Sequence, residues 1–152
     1  VSAADRPTLL RLLDEYLGEL HREVGKPAPQ PGSYPYLDAY FTEPGRHAFL
    51  LRADGKPAGF ALVREGQSTG GATQMAEFYV HPSQRRNGLG RAAAFAIFTQ
   101  FPGNWDLQVH ARNERGVAFW SSCARALAQG PVRETALNAD DGPRIQLEFS
   151  IA

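Results

Sequence analysis

Val80-His81-Pro82-Ser83-Gln84-Arg85-Arg86-Asn87-Gly88-Leu89-Gly90-Arg91 joins a strand-like run to a helix-like run through a short basic turn carrying two glycines. Before it, Met75-Ala76-Glu77-Phe78-Tyr79-Val80 is apolar and aromatic with a β-branched end, and Pro82 stops the run. After it, Ala92-Ala93-Ala94-Phe95-Ala96-Ile97-Phe98 favours helix, and Phe101-Pro102-Gly103 ends it. Gly88 and Gly90 carry no Cβ, so a ligand can approach the main chain closely. The first turn of a helix leaves N–H groups unpaired and carries positive partial charge. Arg85, Arg86 and Arg91 add full charges around it. Such a turn is built to hold an anion, foremost a phosphate or pyrophosphate.

Working outward, Leu9, Leu12, Leu13, Tyr16, Leu17 and Leu20 recur at helical spacing and predict an amphipathic helix over 5–22, with Ser2 and Asp5 as a capping box or Asp5 before Arg6-Pro7 as the cap. Pro27, Pro29, Pro31 and Gly32 between Gly25 and Pro35 read as a loop, and Tyr34–Phe41 reads as one or two helical turns. Asp54-Gly55 between the apolar runs 47–52 and 58–63 is a hairpin signal. A further turn falls over 67–71, then the strand ending at Val80. Trp105–His110 reads as a strand, and Asn113–Ala128 as a helix with Val117, Phe119, Trp120, Ala124 and Leu127 available for burial. Ile145–Ile151 alternates cleanly after an Asp140-Asp141-Gly142-Pro143 turn and should pair with a strand around Val132–Leu137. The order is helix, short helix, three strands, helix, strand, helix, two strands, which is an α/β domain with a mixed sheet.

The length of 152 residues fits one domain, taken here as 1–152. Sixteen basic and sixteen acidic residues balance to zero, which argues against nucleic acid as a partner and against charge-driven membrane attachment. No apolar run approaches the roughly 20 residues that span a bilayer. A single cysteine, Cys123, excludes an internal disulfide and is compatible with a reducing cytoplasm. The four histidines lack metal-binding spacing, so no metal is expected.

Arg85-x-x-Gly88-x-Gly90, preceded by Val80-x-Pro82, resembles the acyl-CoA-binding motif of the GNAT superfamily of N-acetyltransferases. Asn113-Glu114-Arg115-Gly116-Val117-Ala118-Phe119-Trp120 resembles that family's second signature, and the element order matches over essentially the whole chain. The resemblance implies a mixed, largely antiparallel sheet of about six to seven strands flanked by helices and splayed between the two middle strands. Family members usually begin with a strand before the first helix. The start at Val1 leaves little room for one, so that strand is expected to be missing or truncated.

The resemblance further implies acetyl-CoA as cosubstrate and direct attack by an amine on the thioester. Main-chain N–H groups from Arg86 through Asn87, Gly88, Leu89 and Gly90 to Arg91 would cradle the pyrophosphate, with the arginines, Arg85 included, shielding charge. The strand edge at Phe78 and Val80 would pair with the pantetheine arm. A backbone N–H near Tyr79 or Val80 would polarise the carbonyl. Asn113 would bond the arm or cap its helix.

Glu77 is the candidate general base, the plainer role being a surface or salt-bridged glutamate. Gln74 and Gln108 stand where some family members carry glutamate, and an amide is no base. Trp120 stands where many carry a tyrosine that protonates the leaving thiolate; an indole is no useful acid, so Trp120 packs against the acyl chain or in the core. Tyr34 and Tyr36, with Tyr40 and Phe41, lie where the family builds its acceptor pocket; Asp38 and Glu43 would attract a cationic amine there, or the rings simply pack on the sheet. Cys123 reads as a buried structural thiol, and His81 and His110 as turn residues rather than proton relays. The expected function is N-acetylation of a primary amine, small or on a protein. The alternatives are a non-catalytic acyl-CoA-binding sensor and a binder of another nucleotide. Oligomeric state stays open, a homodimer being one arrangement.

Overall fold

The structure, a computed structural model, describes residues 1–23, 25–66 and 71–152. Most of the turn read over 67–71 lies outside the described residues. The chain divides into two compact units, one of Val1–Val63 with Glu77–Arg85, the other of Arg64–Ala76 with Arg86–Ala152.

In the first unit, the Asp5 carboxylate reaches back to the Ser2 N–H at 2.9 Å, closing the capping box on a single 3-10 turn. Helix α1 (Arg6–Glu23) follows and buries Leu9, Leu12 and Leu13, the stripe read from spacing. After the loop comes a one-turn helix α2 (Ala39–Thr42), which buries Tyr40. Strands β1 (Arg46–Ala53) and β2 (Lys56–Arg64) meet at Asp54-Gly55, with φ of +53° and +77°. Two successive positive φ angles make the type I′ turn that fits the twist of a hairpin. From Ala58 to Val63 every residue of β2 is buried, as in a strand covered on both faces. The C-terminal half of β3 (Thr73–Val80) completes this unit.

The second unit holds the other half of β3, parallel to β4 (Gly103–His110) at Thr73↔Trp105 and Gln74↔Asp106. Strand β6 (Gly142–Ile151) runs antiparallel to β4 from Gly103↔Ile151 to His110↔Arg144. Strand β5 (Arg133–Ala139) pairs with β6 up to Ala139↔Gly142, closing on the two-residue turn Asp140-Asp141. Helices α3 (Leu89–Gln100) and α4 (Glu114–Leu127) bury Ala94, Ile97 and Phe98, and Trp120, Cys123 and Ala124. Phe98 centres this core, with ring centroids 4.9 Å from Trp105, 5.2 Å from Phe149 and 6.1 Å from Trp120. Removing such a ring costs about 3–5 kcal/mol in general.

Across β3, which belongs to both units, the strand order is β1-β2-β3-β4-β6-β5, a six-stranded, mostly antiparallel open sheet flanked by helices. Among the described residues no helix is long and apolar enough to cross a membrane.

Candidate functional site

Glu77 lies on β3 in the first unit, and its carboxylate Oε1 accepts the Tyr16 hydroxyl at 3.1 Å. The Tyr16 ring is fixed edge-on to Phe60 at 5.5 Å and tilted against Tyr79 at 5.8 Å. The Tyr34 phenol is held well above its ordinary value, first by burial, then by the negative charge of Glu77 and a hydrogen bond with Tyr40. The Tyr79 phenol is pushed up to about 12, first by burial and then by Glu15 and Glu19. Glu77 thus stands among tyrosines rather than on an open surface.

The aromatic segment around Tyr34 and Tyr36 carries charge partners from the chain itself. The Arg46 guanidinium sits 5.7 Å from the Tyr36 ring centroid and 5.3 Å from that of Tyr40. An arginine of the chain itself therefore meets the rings read as contacts for a foreign cation. Tyr36 is 56% exposed, with Tyr34 edge-on to it at 6.0 Å. Asp38 pairs with Arg6 at 2.6 Å and Glu43 with Arg46 at 2.7 Å. Both carboxylates read as amine attractors are thus engaged by arginines.

The end of β3 shows a clear alternation. The His81 N–H donates to the Ala58 carbonyl at 2.7 Å, and the Tyr79 carbonyl lies against Gly59, so both face β2. Regular alternation along a strand would turn the Val80 N–H to the other side. The Val80 carbonyl accepts Arg85 Nε at 2.8 Å, while Arg85 Nη2 donates to Glu19 Oε2 at 2.8 Å. Arg85 is thus held by α1 and by the strand it follows. His81 caps the Pro82–Gln84 turn, its Nδ1 accepting the Ser83 N–H at 3.2 Å.

In the second unit, Arg86 (φ +65°) and Gly88 (φ +87°) are left-handed, which costs a non-glycine residue of order 1 kcal/mol. Gly88 is the N-cap of α3, and its carbonyl accepts the Ala92 N–H at 3.0 Å. Leu89, Gly90 and Arg91 are therefore helical, earlier than the composition alone indicated, because the left-handed glycine lets the chain enter the helix at once. Asn87 Oδ1 accepts the Leu89 N–H at 3.2 Å. A Cβ placed on Gly88 would meet nothing within 4 Å, so the space over this turn is open. Arg91 donates to Ser122 Oγ at 2.9 Å and lies over the Phe95 ring at 4.7 Å, tying α3 to α4.

Asn113 caps α4, its Oδ1 accepting the Gly116 N–H at 3.0 Å. Its amide lies where a Cβ on Gly116 would stand, which explains glycine there. Trp120 is 8% exposed and 4.9 Å from Phe119, so it packs in the core. Cys123 is fully buried, and burial pushes its thiol up, away from nucleophilic character. His110 Nδ1 accepts the Arg112 N–H at 3.3 Å, which leaves Nε2–H to donate to the Asp141 carbonyl at 3.0 Å. Among the described residues no three His, Cys, Asp or Glu side chains gather as a metal site.

Tyr16 is legible in the sequence only as one of the helical stripe, and Glu19 and Gly59 carry no site reading there. Tyr16 and Glu19 sit one turn apart on α1, and a phenol within an otherwise leucine stripe, with an acid one turn on, was the available signal.

The Acetyltransferase (GNAT) family model matches residues 10–124. An acetyltransferase from Thermus thermophilus is 18% identical, with a TM-score of 0.73, over 99% of this chain and 94% of that one. The ribosomal-protein-S18-alanine N-acetyltransferase of Escherichia coli is 20% identical, with a TM-score of 0.64, over 100% and 91%. A Bacillus subtilis acetyltransferase in complex with CoA is 10% identical, with a TM-score of 0.59, over 100% and 95%. These structures share the fold. Curated protein sequences yield no match.

Proposed function

The chain belongs to the acetyltransferase (GNAT) family, and on that footing we propose that it transfers an acetyl group from acetyl-CoA to a primary amine in a ternary complex. The observation that carries the catalytic part is Glu77, a carboxylate held by the Tyr16 hydroxyl at 3.1 Å on the strand that ends at Val80.

The donor side follows from the turn. The N–H groups of Arg86, Asn87, Gly88, Gly90 and Arg91 receive the pyrophosphate over Gly88, where an added Cβ would meet nothing within 4 Å, and the Leu89 N–H, which Asn87 Oδ1 accepts at 3.2 Å, turns to it only when Asn87 lets go. Arg91 adds positive charge while anchored to Ser122, and Arg85, its charge shared with Glu19, directs its guanidinium at the entry to the turn. The strand edge at Phe78 and Val80 takes the pantetheine arm, the Val80 carbonyl accepting from it through the lone pair that Arg85 Nε leaves. The Val80 N–H then donates to the thioester oxygen, Tyr79 being turned toward β2. Asn113 sets the start of α4, and Trp120 packs its inner side. The family relationship and the CoA complex of the Bacillus subtilis neighbour support this donor.

On the acceptor side, Tyr34 and Tyr36 border the amine and Glu77 takes a proton from the ammonium, directly or through water. The amine nitrogen forms the C–N bond, the C–S bond breaks, and the second amine proton leaves with the CoA sulfur. The neighbour named for N-acetylating an alanine supports an amine acceptor. The balanced charge speaks against a nucleic-acid partner. The lone buried thiol Cys123 supports a cytoplasmic location. The absence of any metal from the reaction is part of the same reading.

A second reading, a non-catalytic acyl-CoA sensor, is favoured by Trp120, which supplies no acid where the family motif places a tyrosine. A panel of primary amines scored by thiol release decides. Wild type should release CoA with some amine, and Glu77→Gln should lower kcat about 100-fold or more while CoA affinity persists. Tight CoA binding without amine-dependent release would establish the sensor. Equal affinity for ADP and acetyl-CoA would point to another nucleotide.

A further inference from the structure

We infer that Tyr16 is a positioning residue that orients the Glu77 carboxylate and sets its basicity. The inference rests on the reading of Glu77 as base and extends it to a second residue on a different element.

The first support is geometric. Tyr16 stands on α1, whose Leu9, Leu12 and Leu13 are buried. Phe60 meets its ring edge-on at 5.5 Å and Tyr79 meets it at 5.8 Å. A ring held on two sides delivers its O–H in one direction, and that hydroxyl donates to Glu77 Oε1 at 3.1 Å. A carboxylate with one oxygen engaged has lost its rotation about the terminal bond, so its proton-accepting lone pairs are aimed before an amine arrives.

The second support is chemical. A donor to a carboxylate favours the charged form, which is the form a base needs at neutral pH. The two phenols around Glu77 divide their roles. Tyr16 donates to the carboxylate, whereas Tyr34 is hydrogen-bonded with Tyr40 and feels Glu77 through its charge. The neighbouring phenols feel charges of their own: Tyr40 of α2 and Arg46 of β1 act on Tyr34, and Glu15, Glu19 and Arg22 of α1 with Arg85 act on Tyr79. Tyr16→Phe keeps both ring contacts and removes only the donor.

The test reads the Glu77 carboxyl carbon by carbon-13 NMR across pH in the full chain, with Glu77→Gln identifying the resonance. In Tyr16→Phe the midpoint should rise by roughly 0.5–1 pH unit, and the acid limb of kcat/KM with the best amine of the panel should move up equally, with KM for acetyl-CoA unchanged. Site-specific 3-fluorotyrosine at position 16, a stronger donor below its own ionisation, should move the midpoint down. An unmoved midpoint in folded Tyr16→Phe overturns the inference. If that variant does not fold, an unmoved midpoint with fluorotyrosine overturns it. If Glu77→Gln retains turnover while the midpoint still follows Tyr16, the reading of Glu77 as base fails and the pair is structural.

Discussion

Glu19 holds Arg85: its Oε2 accepts Nη2 at 2.8 Å across 66 positions of sequence. Because Arg85 Nε also donates to the Val80 carbonyl at 2.8 Å, one guanidinium joins α1 to the end of β3. The ion pair is partly exposed and contributes little by itself, of order 0.5 kcal/mol. The charge-assisted bond to the carbonyl adds about 1 kcal/mol or more. Arg85→Ala should therefore lower unfolding free energy by about 1–2 kcal/mol in urea titration. Glu19→Gln, which keeps the carbonyl bond, should cost less than half of that.

The open space over Gly88 makes a second prediction. Gly88→Asp places a carboxylate where an anion is expected and adds left-handed strain of order 1 kcal/mol. The CoA dissociation constant from calorimetric titration should rise at least about 100-fold, near 2.7 kcal/mol, with the circular dichroism of the fold retained. Undiminished affinity in the folded variant would remove the turn from the CoA site.

Two glycines should answer alanine with opposite signs. At Gly59 the new Cβ would run into the Tyr79 carbonyl, a backbone atom that cannot swing aside. Gly59→Ala should cost roughly 2–4 kcal/mol or shift the strand pairing. At Gly18 the Cβ would meet only Arg22 Nη1 at 3.6 Å, an ordinary contact with a flexible tip. Gly18→Ala should stabilise α1 by about 0.5–1 kcal/mol. Thermal melts of the two variants decide both signs.

Tyr79 gives the alkaline dependence. Its phenol rises from 10.0 unfolded to about 12 folded, chiefly by burial, so between those values the native state binds more protons. Stability is therefore complete below pH 10 and falls as pH climbs toward 12. Tyr79→Phe should flatten that decline in urea titrations run from pH 9 to roughly 11.5.

Local chemistry made several elements legible. Asp54-Gly55 announced its hairpin because both left-handed angles are carried by the two turn residues themselves. The leucine stripe gave α1, and strict alternation gave β6, since burial on one face imposes the period of the element. The glycine turn and the Asn113 cap were legible for the same reason: each is closed by hydrogen bonds within a few residues. What escaped were pairs distant in sequence, such as Asp38 and Arg6, which redirect charges read as substrate contacts.

From Val80 to Arg91 the residue types by themselves dictated strand, turn and helix, because glycine, proline and capping preferences act over a single turn of chain. Tertiary structure alone decided the company each side chain keeps. It brought Tyr16 to Glu77 across 61 positions, gave Arg85 to Glu19, and set the Tyr79 carbonyl against Gly59. Such contacts follow from the packing of a helix on a sheet and from strand register, which many sequences of the same local pattern satisfy with different partners.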